Sequence, residues 1–103
     1  MESDSWQDDL WTAVSESAPE GERVAAMARL GRLIDARVFE ALCAVATRSV
    51  QSEAVYRAAG ENAGRVAVGL DVISEAPLHD FLGPAYLGFD AVVAAHLRGE
   101  VVT

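Results

Sequence analysis

Residues 35–68 read DARVFEALCAVATRSVQSEAVYRAAGENAGRVAV, and this stretch decides the fold. Asp35 stands where a helix N-cap belongs. After it, Val38, Leu42, Val45 and Ala46 recur at the three- and four-residue spacing of one helix face, with Arg37, Glu40 and Arg48 on the other. The polar residues 49–52 break the pattern. Ser52 then caps a second helix whose stripe is Val55, Ala59, Ala63 and Val66. Gly60 and Gly64 lie inside that helix, where each costs about 1 kcal/mol against alanine. Two such residues imply a small-residue face that a neighbouring helix approaches closely, or one that mates with a second copy of the chain.

Working toward the N-terminus, Ser5 reads as a cap, and Trp6, Leu10, Ala13 and Val14 share one face of a helix ending near Ser15. Asp8 and Asp9 fall in its first turn, where they favour the helix dipole. Trp11 sits at the edge of the stripe. Ser17-Ala18-Pro19-Glu20 matches a capping box with proline in the first turn. It opens a helix carrying Val24, Met27, Leu30 or Gly31, and Ile34, expected to run to about Ile34. Toward the C-terminus, residues 71–77 turn, residues 78–82 make a short helical turn, and Gly83-Pro84 opens a last helix. Phe89, Val92, Val93, His96 and Leu97 line it, and Gly99 stops it. No strand alternation of useful length occurs. The expectation is an all-α chain, one domain over residues 1–103, forming a compact bundle of five or six helices.

The net charge of −8 makes phosphate backbones and anionic lipid poor partners and a basic protein the natural complement. The charge is unevenly spread, at −7 over residues 1–22, +3 over residues 23–65 and −4 over the remainder. The acidic ends can therefore fold back onto an arginine-bearing middle. Acids beside an exposed aromatic also suit the capture of a cationic protein, because tryptophan is enriched at interface hot spots and flanking charges steer association. The candidate partner-binding residues are Asp8, Asp9, Trp11, Glu16, Glu20 and Glu22. Helix capping accounts for Asp8 and Glu20, which leaves Asp9, Trp11, Glu16 and Glu22 calling for a partner. Trp6, on the apolar stripe, is assigned to the core.

The lone Cys43 has no partner for a disulfide and is expected as a small buried hydrophobe in a cytoplasmic, reducing setting. The acidic first residues lack a basic, then apolar, pattern, so no secretory signal is expected, and no stretch has the length and apolarity of a membrane span.

Residues 39–46, FEALCAVA, a polar turn, and residues 56–64, YRAAGENAG, resemble a degenerate HEAT-like hairpin, with residues 57–61 similar to the start of a B-helix in such repeats. The small, acidic, all-α character of the chain also resembles the immunity proteins of bacterial toxin–immunity systems, some of which use HEAT-like helices. That resemblance implies binding of a basic toxin domain through an acidic face with an aromatic anchor, and it points to the six residues named above.

Residues with chemistry of their own are few. His79-Asp80 is a neighbour pair whose members do not face each other on a helix. His96 lies on an apolar stripe, and Tyr86, Phe89 and Phe81 can line a pocket or simply fill core. No spacing of histidines and acids fits a metal, no glycine-rich phosphate loop occurs, and no cofactor, metal or catalytic residue is expected. Three function classes follow in order: a binder of a basic protein, an oligomerisation module using the Gly60/Gly64 face as a homodimer contact, and a small helical enzyme.

Overall fold

A computed structural model describes residues 5–48 and 51–99. Five α-helices occupy these residues: α1 (Ser5–Val14), α2 (Glu20–Leu30), α3 (Ala36–Thr47), α4 (Glu53–Leu70) and α5 (Gly83–Leu97). Two 3₁₀ turns, Ile73–Glu75 and Leu78–Asp80, lie in the connection before α5. The chain is all-α as the periodicity requires, with no strand among the described residues.

The two central helices start where their caps dictate. Asp35 takes an extended conformation and accepts a hydrogen bond from the Arg37 backbone N–H, and the Ser52 hydroxyl accepts one from Val55 N–H. The α4 stripe of Val55, Ala59, Ala63 and Val66 is wholly buried, as are Val38, Leu42, Val45 and Ala46 of α3. Asn62, also buried on α4, donates to the Ala58 carbonyl and accepts from Arg65, so its amide is satisfied within the helix.

Helix α2 departs from the sequence expectation at both ends. It begins at Glu20 behind Pro19, and no side chain caps it. Ser17 instead shares a hydrogen bond with the Ser15 hydroxyl. Proline disfavours helical geometry in the residue before it, so Ala18 cannot be a first-turn residue and the capping box does not form. At the other end the helix stops at Leu30, leaving Ile34 exposed. Asp35 must be extended to cap α3, which obliges the chain to leave α2 before it.

The Gly60/Gly64 face is covered from within the chain. A Cβ on Gly60 would collide with the Ala85 carbonyl, and one on Gly64 would lie 3.2 Å from the Val92 Cβ. Gly88 of α5 presses reciprocally on α4, where a Cβ would sit 2.7 Å from the Arg57 carbonyl oxygen. The glycines are thus a helix-packing device for α5, and a second copy of this fold cannot use the face they form. The packed stripe of α5 includes Phe89, Val92 and half-buried Val93, with Phe81 edge-on to Phe89 at 5.6 Å between ring centroids. It does not reach His96 and Leu97, which are exposed on the last turn. Tyr86 is exposed as well, so the Tyr86–Phe89–Phe81 set is not one pocket.

Gly60→Ala should lower stability by about 2 kcal/mol, because backbone must move to admit the methyl group. Gly64→Ala meets only a side chain and regains helix propensity, so it should stay within about 1 kcal/mol of the parent. Urea denaturation of the two variants checks the difference.

Candidate interaction face on the first two helices

Helix α1 has ten residues and no basic group in its last turn, so its terminal carbonyls need donors from elsewhere. Arg23 of α2 and Arg48, which follows α3, supply them. Arg23 donates through Nε to the Ala13 carbonyl at 3.1 Å, and Arg48 donates through Nη1 to the Val14 carbonyl at 3.1 Å. A cation at a helix C-terminus also offsets the macrodipole.

Arg23 is 5% exposed, and its Nη1 donates to Gln51 Oε1 at 2.8 Å. Among the described residues its Nη2 and the Gln51 amide nitrogen have no acceptor. Burial lowers the Arg23 pKa, while the Glu16 carboxylate pulls it back up. Arg23 therefore acts inside the fold, although it reads in sequence as one more surface arginine. The available signal was its position four residues before Met27, on the stripe that α2 buries.

The remaining length of α1 is fixed by two exposed contacts. Asp9 accepts from Arg29 Nε and Nη2 at 3.0 and 2.8 Å, which raises the Arg29 pKa. Arg37 lies over the Trp6 ring at 4.6 Å from its centroid. The Asp35 carboxylate holds that guanidinium in place, and the pairing lowers the Asp35 pKa and raises that of Arg37. Trp6 is half-buried and packs against the core, as its stripe position implies.

The six candidate residues consequently separate. Asp9 turns toward α2 and pairs with Arg29, so it does not share a surface with Trp11 two residues on. Glu16 lies 3.7 Å from Arg48 and borders a cleft with Glu20, Arg23, Gln51 and Ser52. For these two acids the fold itself supplies a cation. Trp11 is 75% exposed, and Asp8, three residues earlier on the same side of the helix, is exposed beside it. Glu20 and Glu22 are exposed in the first turn of α2. Left exposed for a partner are Asp8 and Trp11 on one side of α1 and Glu20 and Glu22 in the first turn of α2.

Elsewhere the structure offers little chemistry. No group of three or more His, Cys, Asp and Glu residues is arranged to hold a metal among the described residues. The main clefts are lined by other residues than His79, His96 and Tyr86. Cys43 is buried, and desolvation, with Glu40 nearby, pushes its thiol up to about 12. None of the helices among the described residues is long and apolar enough to cross a membrane. Comparison with protein-family models, curated proteins and solved structures gives no match.

Two measurements check these environments. Arg23→Gln should cost about 2 kcal/mol, because it strips a buried donor from the Ala13 carbonyl, and thermal or urea unfolding reads the loss. Cys43 should react with a thiol reagent at pH 8 only as fast as the chain unfolds. In alkali the unfolded thiol ionises near 9.0 and the folded one near 12. The unfolded state releases its proton first, so stability should fall as pH rises through that window, and Cys43→Ala should remove this part of the fall.

Proposed function

We infer that the chain is a protein-binding module that holds a cationic protein partner against the α1–α2 hairpin. One observation carries this reading: Trp11 is 75% exposed beside Asp8, which has no ion pair among the described residues, on a helix held in place by arginines from elsewhere in the fold. A tryptophan held outward on a fixed helix loses little entropy on binding, which suits it as an anchor in a partner's pocket. Asp8, Glu20 and Glu22 steer the encounter, and like-charged surfaces are rejected. The mechanism is steric and electrostatic, with the carboxylates taking the place of an anionic ligand of the partner. An immunity-like role toward a basic toxin domain in the bacterial cytoplasm is the specific form of this proposal, and the size, charge and helical layout support it.

The test is a pull-down from the source organism with the parent chain and Trp11→Ala in parallel, followed by association kinetics with the captured protein. A basic partner should be retained by the parent and lost, or weakened by about tenfold or more, with Trp11→Ala. Changing Asp8, Glu20 and Glu22 together to serine should slow association and flatten its dependence on salt. Binding that survives both changes unaltered would contradict the proposal.

A further inference from the structure

Arg23 is 5% exposed, and two of its donors are committed inside the fold, Nε to the Ala13 carbonyl and Nη1 to Gln51 Oε1. These bonds fix the plane of the guanidinium, so Nη2 cannot turn in search of an acceptor. Nη2 and the neighbouring Gln51 amide nitrogen are both buried without one among the described residues. Buried donors are almost always satisfied in folded proteins, and two orphans side by side call for an acceptor from outside the chain. Arg23 and Gln51 line a single cleft of about 550 Å³ together with Glu16, Glu20 and Ser52. That volume is ordinary for a small-molecule site.

The lining carries both signs of charge. Its buried part holds Arg23, the Gln51 amide and the N-terminus of α4, which starts behind Ser52 and presents the positive end of an 18-residue helix. Its exposed part holds the carboxylates of Glu16 and Glu20. Glu16 makes only a long, exposed contact with Arg48 at 3.7 Å, and Glu20 has no ion pair among the described residues. A bare anion would satisfy the donors but be repelled by the two carboxylates. A bare cation would suit the carboxylates and leave the donors orphaned. A ligand with both charges a short distance apart meets both requirements.

We propose that this cleft binds a small zwitterion of the α-amino-acid class. Its carboxylate accepts from Arg23 Nη2 and the Gln51 amide at the α4 N-terminus, and its ammonium donates to Glu16 and Glu20. Gln51 stands in irregular backbone just ahead of the α4 cap, where a small shift of its side chain opens both nitrogens to the cleft. The proposal stands on Arg23 and Gln51 and does not rest on Trp11, although Glu20 borders both surfaces.

Titration of the full, isotope-labelled chain at constant ionic strength, followed by nuclear magnetic resonance, tests this with matched probes. L-Alanine carries both charges, propionate is the same molecule without the ammonium, and ethylamine is the same molecule without the carboxylate. L-Alanine should saturably shift the Gln51 side-chain amide and the backbone amides of residues 52–55, with a dissociation constant on the order of 1 mM. Propionate and ethylamine should each bind at least about tenfold more weakly. Gln51→Glu gives Arg23 an internal carboxylate, so it should raise the unfolding midpoint of the free chain and weaken L-alanine binding at least about tenfold. Gln51→Met, which only removes the donor, serves as a further variant if circular dichroism shows the first misfolded. No saturable shift up to about 50 mM L-alanine, propionate or ethylamine binding as tightly as L-alanine, or undiminished binding by the Gln51 variants would each overturn the proposal. The titration uses no protein partner, so its outcome is separate from that of the pull-down.

Discussion

The structure depends on arginines from α2 and α3 that hold α1 in place. A ten-residue helix is not stable in isolation, because so few propagating hydrogen bonds cannot offset its nucleation. Arg23 and Arg48 close its last two carbonyls, Arg29 takes Asp9, and Arg37 covers Trp6. These contacts are unequal. The exposed Asp9–Arg29 pair adds little, since solvent screens it and both side chains lose freedom in forming it. The buried bond of Arg23 matters more, because breaking it strands a guanidinium and a carbonyl away from water. The opposite charges of the N-terminal and middle segments are thus partly an internal adhesive, and only the acids left over are available to a partner.

A second constraint acts at the far side of the bundle. Gly60, Gly64 and Gly88 bring α4 and α5 so near that a Cβ at Gly60 or Gly88 would meet the backbone of the other helix. The gain is dense packing and dispersion contact along α4. The consequence is that α4 covers one side of α5, while Tyr86, Leu87 and Leu97 stay exposed on the other. The two edges therefore differ in kind: one carries acids beside the exposed Trp11, and the other exposes Tyr86, Leu87 and Leu97.

Much of this was legible in the residues themselves. The caps Asp35 and Ser52, the buried stripes of α3 and α4 and the close approach at Gly60 follow from local rules, because cap chemistry and helical period act over a few residues. At the start of α2 the capping-box pattern of residues 17–20 competes with the steric effect of Pro19 on Ala18, and the steric effect wins. At its end Ile34 fits the helical period, but the extended backbone that Asp35 needs as a cap ends the helix at Leu30. The candidate face was legible in part. Trp11 and Asp8 could be placed by periodicity within α1, whereas the capture of Asp9 by Arg29 and of Glu16 by Arg48 depends on how distant segments meet. No spacing within one helix reports that. The role of Arg23 was hidden for the same reason, since its acceptors lie in α1 and at Gln51.

Hydrogen–deuterium exchange of the intact chain tests the anchoring of α1 most directly. If arginines from α2 and α3 fix this helix, the amides of residues 9–14 should be protected nearly as long as those of α2, and adding salt should change that protection only slightly, because the buried Arg23 bond is poorly screened. Exchange of residues 9–14 at the rate of an unfolded peptide, with α3 and α4 still protected, would contradict the account and remove the fixed platform on which Trp11 stands.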